Sequence, residues 1–320
     1  MASPNYSELL SLTMQKLEGE LADSVTNENA LMTTLKKYDM IKTFDGGPKI
    51  VQPLEYAENG TYSRYSGYES VDITPSDAFT AAEYAYKQVA LSISASGLEL
   101  LQNSGSSQVF DLLESRIMNA KHTFENNFHS DCLSDGTASS GKQIGGLQLA
   151  LATNQATGTV GGINKATWSF WRANTGTATL SSSNIQATMN ALWLKCKARG
   201  GKIKVILADD DTYGYYESSL QNITRLVDPK QGSLGRLGFS SYAYKDAEVV
   251  YVAQLSGMPT KTMYFIDPYC VALRPHKDRN FTTLNPDRYS VNQDAVVKLQ
   301  AWAGNVTYLN MRKLGVLYNS

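Results

Sequence analysis

Between residues 41 and 97 the chain has a long extended stretch with little core of its own, and this limits what the rest can be. Ile41-Lys-Thr-Phe44 and Lys49-Ile-Val-Gln52 flank Asp45-Gly-Gly-Pro48, a local hairpin signal. A polar-aromatic stretch follows, with Tyr62, Tyr65 and Tyr68 around Arg64. After Pro75 comes a second extended run in which Tyr84 and Tyr86, then Val89, Leu91 and Ile93, alternate with period two. Limbs of about 20 to 25 residues at 3.3 Å each reach roughly 65–80 Å when straight. A compact body of about 200 residues is only about 40 Å across. A lone two-stranded ribbon is barely stable in water. Straight limbs therefore predict a ribbon that protrudes and takes its missing contacts from another molecule. Curled or bulged limbs would place the same residues in an ordinary sheet.

Directly after this excursion, Phe110, Leu113, Ile117, Ala120 and Phe124 alternate at spacings of three and four, the apolar face of a helix over 106–128. Ser106 or Ser107 can cap it, and Asp111 and Glu114 suit the positive end of its dipole. Such a helix is long enough to brace a small domain. An ordinary core helix has the same pattern, so the flanks have to decide its role.

Hydrophobic residues make up 42% of the 320, which indicates a globular protein. Charged residues are only 18%, against 19 tyrosines, a composition that suits a surface largely covered by partners. Residues 1–130 hold 9 Lys and Arg against 17 Asp and Glu, a balance of −8, and the remainder balances at +7. Opposite halves let one copy lie on another, or pair within one chain. Neither half makes the whole chain basic enough to read as a nucleic-acid binder.

Cys132, Cys196 and Cys270 form no CxxC pair, which argues against a disulfide framework or zinc site and fits a reducing compartment. The first residues carry no signal-peptide pattern, and the charge-free run 143–164 is too polar to enter a bilayer, so a soluble protein made in a cytoplasm is expected.

The remaining elements read in order. Leu10, Met14, Leu17 and Leu21 mark a short helix over 6–21, and 28–37 marks a second. Both are too short to stand alone, so they predict an arm. Residues 129–141 read as a linker, 144–153 as a small helix and 158–162 as a glycine loop. Ser183 with Gln186 forms a capping-box pattern for a helix with Ile185, Met189, Leu192 and Trp193 on one side, ended by Gly200. Residues 203–208 are a buried strand, with a helix carrying Tyr213, Tyr216 and Leu220 after it. Strands 248–253 and 262–266 look paired, and 294–303 faces 306–314 across a Gly304-Asn305 turn.

Chemistry is sparse. Asp209, Asp210 and Asp211 end a buried strand, where α/β proteins place ligands, and could hold a divalent cation. Asp211 before Thr212 is also a good N-cap, which is the stronger reading. His122, His129 and His276 sit in no metal or acid–base motif, and Gly158 to Gly162 lacks the lysine of a phosphate loop. Arg274, His276, Lys277 and Arg279 cluster as a solvated basic loop. No catalytic, cofactor or metal site is expected.

Several stretches together resemble one family. These are Thr43-Phe-Asp-Gly-Gly-Pro-Lys-Ile-Val-Gln-Pro-Leu54, Tyr62-Ser-Arg-Tyr-Ser-Gly-Tyr68, Asp111-Leu-Leu-Glu-Ser-Arg116 and Gly161-Gly-Ile-Asn-Lys-Ala-Thr-Trp168. Asp209-Asp-Asp-Thr-Tyr213, Asn292-Gln-Asp-Ala-Val-Val297 and Trp302-Ala-Gly-Asn305 complete the set. In this order they resemble the major capsid proteins of tailed bacteriophages, whose fold is shared with herpesvirus capsid floors. The resemblance implies an α+β fold with an N-terminal arm (1–40), an extended β-hairpin loop (41–97) and a peripheral domain (98–139) built on a spine helix over 106–128. An axial α/β domain (140–260) and strands returning to the peripheral domain (261–320) would complete it. It implies a virion structural protein, assembled in the bacterial cytoplasm as hexamers and pentamers into an icosahedral or prolate shell around double-stranded DNA. A separate scaffolding protein and a portal would be partners, the DNA would be contacted non-specifically, and no membrane or cofactor would be involved. The loop residues Lys49, Tyr62, Arg64, Tyr65 and Tyr68 would touch neighbouring copies. Lys49 and Lys87 lie where some members crosslink to Asn, but no motif supplies the partner, so no crosslink is expected. The competing readings are a metal-dependent α/β enzyme using Asp209 to Asp211 and a minor virion component such as a decoration or tail protein.

Overall fold

The computed structural model describes residues 29–96, 98, 106–221, 241–289 and 295–319. The helix expected over 6–21 lies outside them, as do the side chains of Phe110 and Leu113. Helix α1 (Ala30–Lys37) starts at Asn29, whose side chain accepts from the N–H groups of Leu31 (2.9 Å) and Met32 (3.3 Å). Leu31, Met32, Leu35 and Met40 are buried in the main core. The apolar residues of 30–40 thus find their cover within the same chain.

Strand β1 (Ile50–Glu55) pairs antiparallel with β2 (Phe79–Tyr84), and β3 (Lys87–Ser96) follows. The Asp45-Gly-Gly-Pro48 hairpin is absent. Gly46 and Gly47 have φ of 134° and 114°, outside the left-handed turn region near 57°. Residues 41–44 instead lie parallel to a distant strand, with the Lys42 N–H donating to the Leu273 carbonyl (2.9 Å) and Phe44 to Pro275 (3.1 Å).

Helix α2 (Ser106–Leu133) has 28 residues, about 42 Å of axis, and overruns its expected end at 128. It continues because Phe124, Phe128 and Cys132, spaced by four, keep one face buried through the presumed linker. Phe128 meets the Trp302 ring at 4.9 Å and Phe124 meets Phe281 at 5.2 Å. Ile117, on the same helix, is 1% exposed.

The α/β half opens with a small hairpin, β4 (Thr159–Val160) and β5 (Ile163–Asn164), then β6 (Asn174–Ala178) and α3 (Ile185–Lys197). The stretch read as a helix over 144–153 makes a single turn, Leu147–Ala150, to which buried Lys165 donates at the Ala150 carbonyl (2.6 Å). The Ser183–Gln186 capping box does not form. The Gln186 amide donates to Ser219 (3.1 Å), and Asn184, at the cap position, accepts from the Ser181 N–H (2.9 Å). Strand β7 (Val205–Ala208), helix α4 (Asp210–Gln221), β8 (Ser241–Tyr244), β9 (Ala247–Tyr251), β10 (Thr262–Ile266), β11 (Val271–Pro275), β12 (Thr282–Tyr289), β13 (Ala295–Tyr308) and β14 (Gly315–Asn319) follow.

Two sheets organise these strands. One has six strands in the order β6-β14-β10-β7-β9-β8, with β6/β14 and β7/β9 parallel. Strands β9 and β10 are therefore not partners, as their sequence suggested: each borders β7. Strands β10 and β14, expected to return to the peripheral part, lie in this sheet. Its two faces enter different cores: Ile206, Ala208, Val249 and Phe265 pack with α3, and Val205, Leu207, Val250 and Ile266 join the main core. The other sheet has four strands, with β13 bordered by β3 on one side and by β12 and β11 on the other. Gly304 and Asn305 lie inside β13 and make no turn: Gly304 pairs with Lys87 and with Pro275. Among the described residues no helix is long and apolar enough to cross a membrane.

The buried titratable groups set the alkaline stability. Burial pushes the Cys196 and Cys270 thiols up to about 12 and raises Cys132, and it raises the hydroxyls of Tyr84, Tyr264 and Tyr308. Such groups stabilise fully below their unfolded pKa values and lose that contribution as pH climbs. Lys165 acts oppositely: burial lowers it to about 8, so folding gains as pH rises from there to its unfolded value. Six groups outweigh one. The melting temperature is expected to fall between about pH 9 and pH 11, and melts that hold or rise across that window would contradict this balance.

Candidate functional site

The sequence-predicted contact residues lie on the β1–β2 hairpin, and its two faces differ. The register sets Ile50 against Tyr84, Gln52 against Ala82 and Leu54 against Thr80 on the inner face. Ile50, Leu54, Ala82 and Tyr84 are buried in the parent's own core, and the Tyr308 N–H donates to the Tyr84 hydroxyl (3.1 Å). Gly161 and Gly162, with φ of 57° and 75°, make the β4–β5 turn, and the Gly161 carbonyl accepts from the Glu83 N–H (2.9 Å). A Cβ at Gly161 would stand 2.8 Å from the Tyr84 ring, so only glycine lets this turn clamp the hairpin base.

The hairpin is shorter than its sequence suggested. Each paired limb has six residues, about 20 Å, because β3, counted as the far limb, belongs to the body sheet. Beyond the paired strands stands the tip. Residues 62–77 are all exposed, including Tyr65 at 67% and Ile73 at 92%. Local bonds shape it: Thr61 N–H to Asn59 (3.0 Å), Ser66 N–H to Glu69 (3.0 Å) and Thr74 N–H to Asp72 (3.0 Å). Arg64 lies over the Tyr62 ring at 5.9 Å. Lys49 is apart from these, at the hairpin base, in an exposed ion pair with Glu83 (2.6 Å).

A feature the sequence reading missed lies along the free edge of β2. Tyr56, Phe79, Trp168 and Phe170 wall a cleft of about 530 Å³ with Asp77 and Glu83 at its rim. Tyr56 meets Phe170 at 5.3 Å and Trp168 at 6.0 Å. The aromatic run from Trp168 to Trp171 was the available signal, but its partners Phe79 and Tyr56 are about 90 and 110 residues upstream.

The acidic cluster is divided by the fold. Asp209, not Asp211, caps α4. Buried Asp209 accepts from the Thr212 N–H (3.1 Å), the Gln254 amide (3.2 Å), the Thr212 hydroxyl and the Lys261 N–H. Asp210 and Asp211 sit in the first turn, outside that pocket. Among the described residues no three His, Cys, Asp or Glu side chains gather as they would around a metal ion. The basic run is also divided: Arg274 donates to Gln52 (3.0 Å), beneath the hairpin, and the His276 ring packs edge-on against Phe44.

No protein-family model and no curated protein sequence matches the chain. Solved structures do. A chain of the cyanophage A-1(L) capsid asymmetric unit superposes with a TM-score of 0.65 at 17% identity, covering 90% of this chain and 91% of that one. A chain of Mycobacterium phage Bobi gives 0.53 at 14% identity, over 90% of both. A chain from the satellite phage P4 procapsid that includes the size determination protein gives 0.51 at 11% identity, over 100% and 93%. The fold is that of phage capsid chains.

Proposed function

We propose that this chain, built on the fold of phage capsid chains, is itself a shell-forming structural subunit, many copies of which enclose packaged double-stranded DNA. One observation carries the reading: the β1–β2 hairpin buries its inner face in its own core yet holds sixteen consecutive exposed residues, 62–77, beyond it. Free subunits gain nothing from displaying Tyr62, Tyr65, Val71 and Ile73 to water. A neighbour that covers them removes that apolar surface and supplies what a two-stranded ribbon lacks. Tyr62, Arg64, Tyr65 and Tyr68 are the contact residues in this reading, with Lys49 at the base. Head-to-tail contacts of this kind close into rings, which supports hexamers and pentamers, in a virion assembled with a scaffolding protein and a portal.

Electron microscopy of the protein expressed alone or with its scaffold tests the reading: closed shells are expected, and a protein that stays monomeric under both conditions would overturn it. Tyr65→Ala is expected to weaken each contact by about 2 kcal/mol, roughly thirtyfold in affinity, without changing the melting temperature of the free subunit. Normal shell yield from that variant would remove the tip from the interface.

A further inference from the structure

We propose that the aromatic cleft along β2 is a docking site for residues 62–68 of a second copy, with Arg64 of the incoming tip set against Asp77. The inference rests on the shell reading above and names what the tip engages. Three independent features meet in the cleft. Its walls are aromatic, Phe79 at 75% and Trp168 at 47% exposure, so they suit tyrosine side chains and the flat guanidinium of arginine. Its rim is acidic: Asp77 carries no ion pair among the described residues, whereas Glu83 is held by Lys49.

The third feature is the strand edge itself. Glu83 directs its N–H away from β1, to the Gly161 carbonyl. In an antiparallel pair the residues two and four before it face the same way, so Ala81 and Phe79 turn their backbone groups into the cleft. An extended segment laid there would find hydrogen-bond partners as an added strand does.

Charge selects the occupant. From 50 to 86 the chain has six acids, Glu55, Glu58, Glu69, Asp72, Asp77 and Glu83, and a single cation, Arg64. That cation sits between Tyr62 and Tyr65, so the tip presents the complement of an acid-rimmed aromatic cleft. Its own cleft does not receive it, since Tyr62, Tyr65 and Tyr68 all stand exposed. A tip that fills the next copy's cleft leaves its own cleft for a third, the head-to-tail arrangement that closes a ring.

Trp168 reports on the cleft directly. The other three tryptophans, Trp171, Trp193 and Trp302, are at most 4% exposed, so acrylamide quenching of the native subunit reads Trp168. Shell assembly of the full-length protein is expected to lower its quenching constant at least threefold. Closed shells in which Trp168 quenches as in the free subunit would overturn the docking site and leave the shell reading standing. Absence of any shell overturns both. Arg64→Asp and Asp77→Arg are each expected to cut shell yield tenfold or more with an unchanged free-subunit melting temperature. The double swap is expected to return the yield to within threefold of the parent. A single variant that assembles normally, or a double variant no better than the singles, would overturn the pairing.

Discussion

Ile117→Asp is expected to leave almost no folded subunit. Ile117 is 1% exposed, on the apolar face of α2. Two costs add. Deleting a buried aliphatic side chain of this size costs about 2–5 kcal/mol through lost burial and a residual cavity. The carboxylate then has to stay charged without a partner or take up a proton to become neutral, a further penalty of a few kcal/mol. Domains are stable by only about 5–15 kcal/mol, so the sum consumes most or all of the margin. Ile117→Val removes one methylene at the same place and is expected to cost only about 1 kcal/mol. Expression in the soluble fraction, circular dichroism and a urea titration separate the two variants. A soluble, cooperatively melting Ile117→Asp protein would show that this helix face does not brace the core.

That variant depends on local information, which is why its basis could be read from the sequence. Helical spacing is set within a turn or two, and it placed Ile117 and Phe124 on one face without knowledge of what they touch. The apolar side of α3 was readable for the same reason. Helix ends were not. Asp209 and Asp211 both satisfy the rules for a cap, as do Ser183 and Asn184, and remote groups decide between them: the Lys261 N–H and the Gln254 amide select Asp209. Strand partners were harder still. Thr262–Ile266 was paired with the nearest strand in sequence, yet its neighbours are Val205–Ala208 and Gly315–Asn319, each about fifty residues away. The tip residues from Tyr62 to Tyr68 were legible as polar-aromatic and extended. The cleft of Tyr56, Phe79, Trp168 and Phe170 was not, because it exists only once residues about 90 to 115 positions apart are folded together. Composition hinted at covered surface, and the order of residues pointed to the extended loop but not to the cleft.

Among the described glycines, Gly304→Ala is expected to be the most damaging alanine substitution, and it tests whether the turn-like Gly304-Asn305 pair lies in a continuous strand. Gly304-Asn305 has the look of a turn, yet β13 runs straight through it for 14 residues. Glycine is needed there for close approach. A Cβ at 304 would collide with the Arg274 carbonyl oxygen and lie 2.9 Å from the Trp302 ring. Neither can yield. The carbonyl belongs to β11, paired with β13 from Val271 to Pro275, and Trp302 is wholly buried against Phe128. Strands β11 and β13 would have to part, and overpacking of this kind costs about 3 kcal/mol or more. The same substitution at Gly214 provides the control: that glycine lies within α4 with nothing inside 4 Å of an added Cβ. Alanine there is expected to stabilise by about 0.5–1 kcal/mol, through helix propensity alone. Urea midpoints that move in opposite directions for the two Gly→Ala variants would establish close packing at 304. A Gly304→Ala protein as stable as its parent would mean that β13 bends or breaks at this residue, and with it the continuous strand that ties β3, next in sequence to the β1–β2 hairpin, into the four-stranded sheet.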